Sequence, residues 1–133
     1  MASYISWIDE AQKIIQVKTA GRWNPTELLT TLKSALSQKP EYLIWDPTEV
    51  LFLAEQNNSY QESSPERQQA VELLAKSLKE GDLRLFFILQ KSSHNTFDTM
   101  RDLSILFDVE HLVFFVSSLE EAQEAIIEHQ ANQ

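Results

Sequence analysis

The sequence has 133 residues, with 11 Lys+Arg against 20 Asp+Glu and a formal charge of −9. At 43% hydrophobic and 23% charged it has the make-up of a globular chain and the length of one domain, 1–133, which excludes disorder and fibrous repeats. The chain has no Cys, so disulfides, thiolate zinc sites and cysteine nucleophiles are excluded. An acidic chain without a basic cluster repels phosphate backbones, so no nucleic-acid partner is expected. No apolar run reaches the ~20 residues of a membrane-spanning helix, and Met1–Glu10 lacks a secretory pattern, so the expected location is cytoplasmic.

In chain order, Tyr4–Ile8 is β-branched and aromatic, and Lys13–Thr19 follows after four polar residues, which predicts an N-terminal antiparallel hairpin ending near Gly21. Asn24-Pro25-Thr26-Glu27 carries a capping amide, Pro at the first helical position and a carboxylate three residues after the cap. Leu28, Leu29, Leu32, Ala35 and Leu36 then repeat at helical spacing as far as Pro40. Tyr42–Trp45 predicts the next strand. Ser64-Pro65-Glu66 opens a second helix with Ala70, Val71, Leu74, Ala75 and Leu78 inward, stopping at Gly81. Leu83–Leu89 is a strand, Asn95–Phe107 a third helix, Leu112–Val116 a last strand, and Ser118-Leu119-Glu120-Glu121 the capping box of a final helix. Leu85–Leu89 and Leu112–Val116 hardly alternate, as strands covered on both faces do, and strands separated by single helices imply parallel crossovers. The fold class is α/β, order ββαβαβαβα, a mostly parallel sheet with an antiparallel N-terminal hairpin strand. Pro47–Ser63 is the exception: a long connection whose apolar Val50–Leu53 calls for something to pack against.

Two segments carry a family resemblance. Tyr42–Phe52, an apolar run ending in Asp46 and followed by a second apolar patch, resembles the central strand of the STAS (SpoIIAA-like) domain family, the fold of anti-sigma-factor antagonists. Leu112–Ala122 resembles that family's last strand and final helix. The resemblance implies a bacterial regulatory module that works through contacts with another protein, without a cofactor and without catalysis. Where phosphorylated antagonists carry Asp-Ser-Ser/Thr-Gly, this chain reads Gln61-Glu62-Ser63-Ser64-Pro65-Glu66, leaving Ser63 and Ser64 as the residues that could stand at a switch position.

The residues themselves offer further candidates. Ligands of open parallel sheets sit beyond the carboxyl ends of the strands, where Asp46, Thr48, Lys91 and His94 would meet in a crevice suited to acid–base work. The same residue types serve as ordinary turn and cap residues there, which is the blander reading. A receiver-type phosphoacceptor role for Asp46 fails, because the acidic pair after the first strand and the Lys after the last are missing. With only two glycines, Gly-rich phosphate loops are absent. His111 and His129 read as partly exposed polar residues. Trp7, Trp23, Trp45, Phe86, Phe87, Phe114 and Phe115 are expected in the core, with Trp23 at its margin. If Trp23, Phe52 and Tyr60 cluster, they form an apolar interaction surface for a partner. The alternative is a small-molecule or lipid carrier with a closed apolar cavity between sheet and helices. The sparsely charged edge strand Tyr4–Ile8 invites a homodimer.

Overall fold

The computed structural model describes residues 2–22, 24–51, 65–90 and 108–132. Its five strands are β1 (Ala2–Asp9), β2 (Ile14–Arg22), β3 (Tyr42–Leu51), β4 (Leu85–Leu89) and β5 (Val113–Val116). The helices are α1 (Pro25–Ser37), α2 (Pro65–Lys79) and α3 (Leu119–Ala131), with a 3₁₀ turn at Glu110–Leu112. The strands lie side by side in sequence order. β1 is antiparallel to β2, and β2, β3, β4 and β5 are mutually parallel. The mostly parallel α/β sheet with an antiparallel N-terminal strand is therefore present, and the expected helix Asn95–Phe107 falls outside the described residues.

The helix starts follow from their caps. The Asn24 side chain accepts hydrogen bonds from the backbone N–H groups of Thr26 (3.1 Å) and Glu27 (3.2 Å), with Pro25 at a position that needs no donor. Ser118 accepts from the N–H of Glu121 at 3.1 Å, opening α3. After α2, Gly81 at φ +81 makes the left-handed turn into β4, a conformation that L side chains rarely adopt.

Side chains alternate across the sheet and divide the core in two. Ile15, Val17, Leu43, Trp45, Phe86 and Ile88 face α1 and α2, which bring Leu28, Leu32, Ala35, Ala70, Leu74 and Leu78 against them. Ile14, Tyr42, Ile44, Leu85, Phe87 and Val116 face α3, which brings Ala122 and Ile126. β4 is buried at all five positions, as its unbroken apolar run requires.

Two expectations need correction. β3 does not stop at Trp45 or Asp46 but continues to Leu51, so the connection is shorter than Pro47–Ser63 and Val50 joins the core. A bulge makes this possible. Lys18 is opposite Asp46 but Ala20 is opposite Glu49, so β3 holds one residue more than β2 at Pro47–Thr48, where a proline is tolerated. Phe114 is the second: it is 40% exposed, because β5 is the edge strand among the described residues, and Phe114 stacks there against Phe87 with ring centroids 5.5 Å apart.

Candidate functional site

The expected crevice is best tested at Asp46 and Thr48. Asp46 Oδ1 accepts hydrogen bonds from the Thr48 backbone N–H (3.0 Å) and the Thr48 hydroxyl (2.6 Å). Both bonds close the bulge around the buried Pro47, so these two residues lie within β3 rather than beyond its end. Lys18 Nζ stands 3.6 Å from Glu49 Oε2 across the same bulge, with both side chains about half exposed. The carboxylate, hydroxyl and ammonium thus hold the strand's shape.

Topology bears on the crevice as well. Ligand crevices in open α/β sheets form where the strand order reverses and neighbouring crossovers leave in opposite directions. Here the order β1-β2-β3-β4-β5 never reverses, and α1 and α2 lie on one face. The other crevice residues, Lys91 and His94, lie outside the described residues. So do Ser63 and Ser64 of the switch position, and Trp23, Phe52 and Tyr60 of the interaction surface. Among the described residues no group of three or more His, Asp or Glu side chains could hold a metal ion, and no helix is long and apolar enough to cross a membrane.

One polar constellation escaped the sequence reading. The Tyr42 hydroxyl and His129 Nδ1 are 3.2 Å apart, and the two rings meet edge to face with centroids 5.9 Å apart. Tyr42 is only 1% exposed, and burial pushes its phenol above the ordinary value. The positive charge of Arg84 and a hydrogen bond with Gln130 oppose that shift, while the Glu41 carboxylate adds to it. Arg84 Nε is itself 3.1 Å from Glu41 Oε1. The group lies at the amino end of β3 and ties the last turn of α3 to the sheet, 87 residues away in sequence, so no local pattern could announce it. At the other end of α3, the Glu121 carboxylate accepts from the Ser117 hydroxyl (2.6 Å) and backbone N–H (2.9 Å). These bonds hold its pKa below the usual carboxylate value.

The described clefts are open. One of about 470 Å³ is lined by Leu36, Ser37, Lys39, Pro40, Ser77, Asp82 and Leu83, and one of about 280 Å³ lies beside Phe114 and His129.

No family model and no curated protein matches the chain by sequence. Among solved structures, the fold superposes on the anti-sigma factor antagonist SpoIIAA in its unphosphorylated form, covering 96% of this chain and 97% of that one at a TM-score of 0.57. The chain has the STAS fold. The 13% identity with SpoIIAA carries the architecture and no residue roles. The resemblance carried by Tyr42–Phe52 and Leu112–Ala122 therefore holds at the level of the fold: Tyr42–Leu51 is a central strand here, and Val113–Val116 and Leu119–Ala131 are the last strand and final helix.

Proposed function

We propose that the chain is a single-domain cytoplasmic regulatory module that acts by docking against another protein, without catalysing a reaction. The observation that carries this reading is the nearly complete two-way coverage with an anti-sigma factor antagonist, a protein whose named role is to act on another regulatory protein. The fate of Asp46 and Thr48 supports it, since the polar groups nearest the expected crevice are engaged in holding the bulge.

In this reading the contact surface is the start of α2 together with the chain preceding it. Ser63 and Ser64 are the candidate switch residues at that helix start. A phosphate there adds about −1.5 to −2 charge, which the helix dipole favours and Glu66 opposes. The test is affinity capture with the intact chain as bait, followed by titration of the captured protein against Ser63→Glu and Ser64→Glu variants. A stoichiometric protein partner whose affinity changes tenfold or more in either variant supports both module and switch. A partner indifferent to both variants removes the switch. If no protein is captured and native mass spectrometry instead finds a bound small molecule, the module reading falls and the carrier takes its place.

A further inference from the structure

The cleft of about 470 Å³ is built where two helices end, not on the sheet. α1 runs out through Lys39 and Pro40 toward β3, and α2 through Asp82 and Leu83 toward β4. Backbone hydrogen bonds fix both walls: the Lys39 N–H donates to the Leu36 carbonyl at 3.0 Å, and the Leu83 N–H to the Ser77 carbonyl at 3.1 Å. Pro40 and Leu83 are buried and Leu36 is half-buried, so part of the lining is apolar and already in place. Lys39 sits at φ +56, the left-handed position that glycine usually takes after a helix. Glycine would make the same turn, but the cleft would then lack its ammonium.

Lys39 and Asp82 bring opposite charges to this one cleft, and neither has an ion-pair partner among the described residues. Arg84, by contrast, is paired with Glu41 at 3.1 Å. Ser77 adds a hydroxyl. In α1 the hydroxyls of Thr30 and Thr31 bond back to the carbonyls of Thr26 and Glu27, whereas that of Ser77 makes no such bond among the described residues.

We infer that this cleft binds a small zwitterion, an α-amino acid with an apolar side chain. Its carboxylate meets Lys39, its ammonium meets Asp82, and its side chain lies against Leu36, Pro40 and Leu83. The charges make the selection. A simple anion would meet Asp82 in a chain of −9, and a simple cation would meet Lys39. A neutral apolar molecule would take water from both charges and return nothing. A zwitterion pairs with both and adds no net charge. The cleft volume of about 470 Å³ is within the ~300–1,000 Å³ of small-molecule sites. Lys39 and Asp82 are exposed, so each ion pair adds little and the affinity is low, as fits a ligand present at high concentration. The cleft is at the end of α2 and the proposed docking surface at its start, so either reading can fail without the other.

NMR titration of the nitrogen-15-labelled full chain with L-leucine tests the inference. Leucine shifts the amide signals of Lys39, Ser77 and Asp82 and saturates. Leucinamide lacks the carboxylate and N-acetyl-leucine lacks the ammonium, and each binds at least about threefold more weakly. In Lys39→Gln the preference over leucinamide disappears and that over N-acetyl-leucine remains, while Asp82→Asn does the reverse. Both side chains are exposed, so each variant keeps the circular dichroism spectrum of the wild type. The inference is overturned if leucine gives no saturable shift, if the shifts arise elsewhere in the chain, or if either blocked form binds as tightly as leucine. It falls as well if each variant loses both preferences alike, since the two charges would then not be reading separate ends of the ligand.

Discussion

Among the described residues, the two faces of the sheet are covered unequally. On one face α1 and α2 together span β1 to β4, and the side chains beneath them, Val17, Leu43, Trp45 and Ile88 among them, are fully buried. On the other, α3 packs with Ile14, Tyr42, Ile44, Leu85, Phe87 and Val116, while Tyr4 is 61% exposed and Ser6 and Gln16 are in contact with water. Burial on the first face is backed by a hydrogen bond inside the core, from the Trp45 indole N–H to the Thr19 hydroxyl at 3.1 Å. On the second it is fastened at the end of α3 by Tyr42 and His129. One face is a closed core, and the other is a core with an open margin.

If that contrast is real, truncation should cost most under α1 and α2. Trp45→Ala removes the largest fully buried side chain and should lower stability by about 3–5 kcal/mol, read from the urea midpoint. A loss below about 1 kcal/mol would mean that this side is loosely packed. Ile126→Ala on α3 is also fully buried and should cost about 2–4 kcal/mol. A larger loss there than for Trp45→Ala reverses the ranking of the faces.

Smaller effects sharpen the picture. Tyr42→Phe removes a hydrogen bond worth about 0.5–1.5 kcal/mol and changes the alkaline limb of stability. Burial raises the folded-state pKa of this phenol, so its contribution is whole below the unfolded value and is lost as pH rises through it toward the folded one. The wild type should therefore lose stability above about pH 10 more steeply than Tyr42→Phe, and parallel alkaline limbs would show that the phenol is not held this way. The smallest effect is at Glu121, whose carboxyl pKa is lowered by the Ser117 hydroxyl and N–H. Its contribution is present above the ordinary carboxylate range and is lost as pH falls through the folded value. Glu121→Gln should flatten the acid limb of the stability profile, and an unchanged limb would count against the Ser117 contacts.

The sequence announced the closed face more clearly than the open one. Leu85–Leu89 is continuously apolar because both of its faces are covered, and the caps at Asn24 and Ser118 are local chemistry that any reader can find. β2 told the other half, since Ile14, Ile15 and Val17 are buried while Gln16 and Lys18 are partly exposed. What failed to show was non-local. Pro47 looked like a stop because nothing in the letters reveals that a bulge opposite Lys18 and Ala20 absorbs it. Phe114 resembled its buried neighbours because an edge position is a property of the sheet. The Tyr42–His129 contact joins two distant segments, whereas the hydrogen bonds from Thr48 to Asp46 are of the local turn type that these residue types suggest.

Strand order also has a consequence for how the molecule is made. Because β1, β2, β3, β4 and β5 neighbour one another in the order of synthesis, each new strand finds its template already present beside it. The hairpin needs no later residue for its own pairing, and α1 can settle on it before β3 is complete. Assembly can thus advance across the sheet in one direction, from the long edge to the short one, without a strand having to be threaded between two that have already paired.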